Sequence, residues 1–313
     1  MLSIEKNTAL IKAEALRLGF SSCGIAKAVQ LDGDAVRLEK WLKNGYQGSM
    51  QYMERNFDLR IDPRKLVPGA KSVITLLLNY APDQKQATAT PKIAKYAYGI
   101  DYHFVIRDKL NKLLDFIKAN VGEVDGRGFV DSAPVLERSW AVRAGQGWVG
   151  KNGNLLTRHA GSFFFIATLI SDLDLVADVP FATDHCGTCT RCIDACPTQA
   201  IVSPTEIDAT KCISYLTIEL KDALIPTSFH TKMEGWMFGC DICQDVCPWN
   251  RFSKPNVEPA FTPLPEILNL SLHEWEDMSE ETFKEVFKNS PLNRPKWKGI
   301  QRNLRAIRVT NHP

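Results

Sequence analysis

Apolar residues recur along the first half of the chain in two alternating rhythms. Residues 3–19 set Leu10, Ala13, Leu16 and Leu18 near one helical face, with Ser3 as a candidate N-cap and Gly19 as the stop. Phe20 to Ala26 reads as a short strand, in which Cys23 is a small buried hydrophobe. A second helix is predicted over 33–44, ending at Asn44-Gly45. Ser72-Val-Ile-Thr-Leu-Leu-Leu-Asn79 is an unbroken apolar run between turn signals, the mark of a central strand. Ser162 to Ser171 is a second such run and the clearest strand of all. Between these two, the pattern predicts a long helix from Asp101-Tyr102-His103 to about Asn120, a strand Arg127 to Asp131 and a helix Pro134 to Ala144. Strands interleaved with helices predict an α/β or α+β first domain over residues 1–175. A cysteine-rich domain is expected over 176–260. Residues 261–313 read as a helical segment anchored by Leu264, Ile267, Leu268, Leu270, Trp275, Phe283 and Phe287.

A chain of 313 residues is long enough for about two domains. No apolar run approaches the ~18 residues that span a bilayer, and the Met1-Leu-Ser-Ile-Glu-Lys start lacks a secretory apolar core. A cytoplasmic, reducing location without membrane attachment is therefore expected, and disulfides are not. Charge changes the picture at one end. From Lys288 onward there are seven Lys or Arg (Lys288, Arg294, Lys296, Lys298, Arg302, Arg305, Arg308) and no Asp or Glu, against +2 for the whole chain. That basic tail on an acidic body suggests a polyanionic partner, nucleic acid first; the plain alternative is a solvated terminal helix.

The strongest chemical signal is Cys186-Gly-Thr-Cys189-Thr-Arg-Cys192-Ile-Asp-Ala-Cys196-Pro197, the spacing by which a bacterial ferredoxin loop wraps a [4Fe–4S] cube. The fourth cysteine of such a run ligates a second cube, whose own set follows at Cys212 and Cys240-Asp-Ile-Cys243-Gln-Asp-Val-Cys247-Pro248. The crossing rule assigns Cys186, Cys189, Cys192 and Cys247 to one cluster, and Cys196, Cys212, Cys240 and Cys243 to the other. Paired zinc sites can also use four cysteines each, but two Cys-Pro endings and the triple i+3 spacing favour iron. One-electron transfer at low potential follows.

Two further stretches carry weaker signals. Gly145-Gln-Gly147-Trp-Val-Gly150-Lys151-Asn152-Gly153 matches G-x-G-x-x-G and nearly matches a P-loop, with Asn152 in place of Ser or Thr. A helix, not a strand, is predicted before it, which excludes both nucleotide readings. What survives is a glycine loop approaching a flat ligand with Lys151 and Asn152 as polar handles, or an ordinary tight turn. Asp131, at a strand end before Ser132-Ala-Pro134, is either a helix cap or a proton donor whose pKa is raised by burial. His103 is expected to pack, and Asp101-Tyr-His103-Phe-Val-Ile106 lacks the glycine of the D-x-H-x-x-G pattern of proteins that place a histidine on cobalt.

Several segments in consistent order give the chain a resemblance to the epoxyqueuosine reductase family. They are Pro68-Gly-Ala-Lys-Ser-Val-Ile74, Gly99-Ile-Asp-Tyr-His103, Val130-Asp-Ser-Ala-Pro-Val-Leu-Glu-Arg138, Gly147 to Gly153, Cys186 to Pro197 and Phe238 to Asn250. The resemblance implies an α+β fold: a corrin-binding domain like that of reductive dehalogenases, then a two-cluster ferredoxin domain and a short helical segment. It implies reduction of epoxyqueuosine at the wobble position of tRNAs for Tyr, His, Asn and Asp, with base-off cobalamin lacking a histidine ligand and with two [4Fe–4S] clusters. Asp131 falls on the family's proton donor. Arg55, Tyr102, Asp131, Arg138, Lys151, Asn152, Gly153, Ser162 and Asp241 fall in its cofactor and substrate region. Many members continue into HEAT-like repeats, so here tRNA contacts are expected from the cluster domain and from the basic tail, through Lys296, Lys298, Arg302, Arg305 and Arg308. An external low-potential electron donor and a monomer are expected. The rival readings are a small-molecule corrinoid reductase of the dehalogenase type and a plain ferredoxin-class carrier, which leaves everything before Cys186 unused.

Overall fold

Two long apolar strands lie at the centre of the computed structural model, which describes residues 3–308. Four strands, β1 (Ser22–Lys27), β2 (Ser72–Asn79), β3 (Gly126–Phe129) and β4 (Phe164–Ser171), form one sheet in the order β1-β2-β4-β3. Every pairing is antiparallel, with β2 and β4 in register from Ser72↔Ser171 to Asn79↔Phe164. The first domain is therefore α+β, not a parallel α/β sheet.

Four helices matter for the site: α1 (Ile4–Arg17), α2 (Tyr102–Asn120), α3 (Glu137–Arg143) and α4 (Lys296–Arg308). Ser3 caps α1 as predicted, and Asp101 caps α2 by accepting from the His103 N–H. The strands read as continuous apolar runs because both sheet faces are covered. Ile74, Leu76 and Leu78 pack with Ile11, Ile106, Leu110 and Ile117 of α1 and α2, whereas Val73 meets Trp140 and Ala144 around α3. Each such side chain contributes roughly 1.5–3 kcal/mol on burial.

The remaining chain builds a second core. Ile213, Leu216, Met237 and Phe238 share it with Ile267, Trp275, Phe283, Phe287, Ile300, Leu304 and Ile307. The expected boundary between 260 and 261 thus coincides with no break in packing. Nor does the first domain stay apart: Lys92–Ile93 pairs in parallel with Trp236–Phe238, and Ala94, Ala97 and Tyr98 enter the second core. Residues 309–313 of the expected helical segment lie outside the described residues.

Candidate active site and cluster pockets

β3 ends at Phe129, two residues earlier than the sequence suggests, and the chain turns through Val130 to Asp131. Asp131 adopts a left-handed φ of 53°, which an aspartate tolerates better than most residues. Helix α3 starts only at Glu137, after Leu136 and without a side-chain cap, so Asp131 caps no helix. Its side chain is 64% exposed, and the Tyr102 hydroxyl donates to Oδ2 at 2.5 Å. Nε2 of His103 stands 3.7 Å from the same oxygen, while Nδ1 lies 2.7 Å from the Asp101 carboxylate. Thus the expected burial of Asp131 is not provided by the chain itself. His103, expected only to pack, faces the candidate acid.

Burial instead acts on the neighbour. Oε1 of Glu137 accepts the Asp131 backbone N–H at 2.8 Å. Desolvation, with the Asp131 charge adding to it, pushes the Glu137 carboxyl up to about 8. Tyr52 is raised to about 12 by desolvation and by the charges of Glu219 and Asp131. Arg60 is buried with Nη2 on the Tyr52 carbonyl, and its Nε has no partner. Arg55, expected in the cofactor region, is exposed and donates to Gln51 at 3.4 Å.

An aromatic wall runs from Asp131 to the cysteines. The Tyr102 ring stacks on Phe165 at 4.1 Å, and Tyr96 meets Tyr102, Phe165 and Phe238. Beside Tyr96, the Lys95 N–H donates to Asp241 Oδ2 at 2.8 Å. Asp241 is 2% exposed, and burial raises its carboxyl to about 6 despite Lys95. It sits between Cys240 and Cys243 in the chain, where desolvation disfavours both bare thiolates.

The four cysteines assigned to the first cluster, Cys186, Cys189, Cys192 and Cys247, line one cavity of about 220 Å³ with Lys151, Asn152, His185, Arg191, Trp249 and Arg251. Cys212 lies close enough to Cys196, and Cys240 and Cys243 to Cys212, to disfavour one another's ionisation, and Cys192 of the first set acts on Cys243 as well. Among the described residues, no three His, Cys, Asp or Glu side chains are drawn together as a single metal ion would need. Four thiols around a cavity suit a cube, in which each thiolate takes its own iron.

The glycine loop is the turn of a short hairpin. Trp148–Val149 pairs with Leu155–Leu156, and a Cβ on Gly147 would lie 2.0 Å from the Leu156 carbonyl. Its handles face the cluster loops rather than Asp131. Lys151 Nζ donates to the Gly187 and Cys189 carbonyls at 2.7 and 3.0 Å, and Asn152 donates to the Cys243 carbonyl at 3.2 Å. Arg138 holds the turn through the Gly153 carbonyl at 2.5 Å. Ser162 is equally committed: Asn250 accepts its N–H and Gln244 donates to its hydroxyl, tying the sheet to the cysteine loop.

The basic tail is not a uniform face. Arg302, expected on nucleic acid, is 6% exposed and donates to the Leu216, Leu220 and Asp222 carbonyls. Arg308 lies 3.8 Å from Glu276. Lys296, Lys298 and Arg305 are exposed. The sequence missed Glu137, Arg60, Tyr52, Tyr96 and Phe165; only Glu137, six residues after Asp131 in an already suggestive motif, carried a local signal.

A sheet-based domain presenting an acid beside aromatic rings, joined to two four-cysteine sets, defines an iron–sulfur oxidoreductase. Residues 185–250 match the 4Fe-4S double cluster binding domain, and residues 60–132 match "Epoxyqueuosine reductase QueG, DUF1730". The chain belongs to the epoxyqueuosine reductase family. It is 61% identical over 300 residues to the epoxyqueuosine reductase of Cellulophaga algicola, covering 96% of this chain and 97% of that one. Against the Pseudomonas aeruginosa enzyme the identity is 44% over 309 residues, covering 97% and 85%. A crystal structure of an epoxyqueuosine reductase with an epoxyqueuosine-modified tRNA-Tyr stem loop superposes with a TM-score of 0.91 at 33% identity, covering 98% of this chain and 82% of that one. A catabolic reductive dehalogenase shares the fold alone, with a TM-score of 0.53 at 17% identity, covering 96% of this chain and 38% of that one.

Proposed function

We propose that this protein reduces epoxyqueuosine to queuosine at the wobble position of tRNAs for Tyr, His, Asn and Asp, with Asp131 donating the proton to the departing oxygen. The observation that carries the reading is the Tyr102–Asp131 hydrogen bond at one end of an aromatic wall whose other end adjoins Asp241 and the second cysteine set. Two [4Fe–4S] clusters on the eight cysteines supply electrons singly. Cobalamin, when bound, supplies a two-electron donor poised for the epoxide. The chain fits such a group in one respect: the buried Arg60 Nε is a donor awaiting an acceptor such as a corrin amide.

The side chains have separate tasks. Asp131 gives its proton while exposed to the approaching nucleoside. Tyr102 donates to the carboxylate left behind and stabilises it. His103, oriented by Asp101, is set to return a proton to Asp131 after a small movement. Exposed Lys296, Lys298 and Arg305 provide phosphate contacts. The cluster-loop contacts of Lys151 and Asn152 hold the first cube near the second. Among the described residues, no helix is long and apolar enough to cross a membrane.

General acid catalysis contributes about 10²–10⁴-fold. Asp131→Asn is expected to retain iron, corrinoid and tRNA binding while turnover of epoxyqueuosine-bearing tRNA, followed by nucleoside mass analysis, falls about 100-fold or more. Undiminished turnover removes Asp131 from the reaction.

A further inference from the structure

We propose that the surface around the first cysteine cavity, centred on Arg158, Arg191 and Arg251, is the docking site of an acidic one-electron carrier protein. The inference rests on the assignment of a cube to Cys186, Cys189, Cys192 and Cys247.

The eight cysteines are all half-buried, and the two sets differ in what lies beside them. Cys240 and Cys243 lie behind Asp241 and the aromatic wall that leads to Asp131, so the second set faces the substrate end. The first set lies under a single turn of loop. Gly187, Thr188 and Thr190 are exposed, and a Cβ built on Gly187 would meet nothing within 4 Å. A partner can therefore approach the first cube across one layer of backbone.

Charge around that opening is arranged, not scattered. Arg191 and Arg251 line the cavity, and Arg158 stands beside it on His185, a cavity-lining residue, at 2.8 Å. All three are exposed, and among the described residues none has a carboxylate partner. Two are held in place by rings: Arg158 over Phe181 at 5.5 Å and Arg251 over Phe252 at 4.6 Å. Two acids lie on the same loop and keep their charge, Asp184 accepting from the Cys186 N–H and Asp194 from the Thr190 hydroxyl, so three arginines stand against two carboxylates. Unpaired, pre-oriented arginines beside a redox centre steer an acidic partner into brief, productive encounters, which need only a small interface.

Nucleic acid is the competing occupant. Single-stranded bases need open aromatic platforms. Here Trp148, Phe181, His185 and Trp249 pack on one another, Trp148 is 3% exposed, and Phe252 is the open ring. That favours the carrier. In each encounter the reduced carrier loses one electron and the oxidised cube gains it, with no bond made or broken. Two encounters supply the two electrons that epoxide reduction consumes.

The test uses anaerobically reconstituted full-length protein and reduced flavodoxin as the probe. The triple variants Arg158→Glu/Arg191→Glu/Arg251→Glu and Arg158→Gln/Arg191→Gln/Arg251→Gln are compared with wild type by stopped-flow bleaching of the clusters and by calorimetric binding of the carrier. Expected is a fall in association rate of about tenfold or more for the Glu variant at low salt, less for the Gln variant, with both differences shrinking as salt screens the charges. Iron content and affinity for a tRNA anticodon stem loop stay at wild-type values. Unchanged carrier kinetics with full iron overturns the docking site alone. Lost stem-loop affinity with unchanged carrier kinetics assigns the surface to RNA and likewise overturns it. Wild-type protein that assembles no cubes on these cysteines overturns the cluster reading itself.

Discussion

Asp131 and Glu137 share a hydrogen bond but not an environment. The first is open to solvent, whereas the second is desolvated beside it, which divides two chemically similar carboxyls. The raised Glu137 carboxyl has a consequence for stability. Its ordinary value of 4.5 rises to about 8 in the fold, so between those values the folded chain holds a proton that the unfolded chain has released. This contribution is complete below pH 4.5, shrinks as pH rises and is gone once pH has climbed through 8. Glu137→Gln is expected to remove that slope, so thermal melts from pH 5 to 9 show the wild type losing ground to the variant as pH rises. Parallel melting curves contradict the shift.

Arg302 makes the opposite point about charge. Its guanidinium serves three backbone carbonyls and the Asn303 side chain. Arg302→Ala leaves those acceptors buried without a donor, at a cost of about 3 kcal/mol or more in denaturant unfolding. Salt dependence of tRNA binding is expected to stay as in wild type, because the residue does not face solvent. Nothing in the spacing of the tail distinguishes Arg302 from Arg305; only the packing against residues 216–222 does.

Among the elements, α4 combines a buried stripe (Ile300, Leu304, Ile307) with an exposed basic face. Reversing Lys296, Lys298 and Arg305 to Glu is expected to flatten the slope of log affinity against log salt by roughly 0.7–0.9 for each phosphate that is no longer neutralised, read in gel shifts with tRNA. An unaltered slope assigns α4 to packing alone. The strands were legible because β2 and β4 are apolar on both faces and bounded by turn residues. The hairpin at 148–156 was not, because its pairing is two residues long and its glycines resemble phosphate loops in spacing alone. The early end of β3 was hidden for a similar reason: Val130 is apolar and buried, yet lies in the turn that carries Asp131.

At the scale of the molecule, two cores meet through shared segments. Residues 92–98 cross into the second core, and the Ser162–Asn250–Gln244 hydrogen bonds join sheet to cysteine loop. A Cβ on Gly161 would fall 2.0 Å from Asn250 Oδ1, so this junction leaves no room for a larger residue. Cys212 and Cys240 pack against the second core, so cluster ligation would stabilise that core first. Removing iron with a chelator under anaerobic conditions is expected to expose the chain around 186–196 and 240–247 to limited proteolysis while β1–β4 stay protected in hydrogen exchange. Simultaneous loss of protection in the sheet contradicts this division.

The amino-acid sequence alone determined whatever depends on neighbours along the chain. It set the helical and strand periods, the cap at Ser3, the antiparallel-compatible apolar runs and the cysteine intervals, because turns and thiolate loops are local geometry. The tertiary structure decided which of the polar residues are free to act. Tyr102 and His103 reach Asp131 across 29 and 28 positions, Lys151 and Asn152 turn to loops 36 and 91 residues away, and Arg302 is taken up by carbonyls 80 and more residues before it. Such pairings are fixed by how two cores close on each other, a property no spacing in the linear chain encodes.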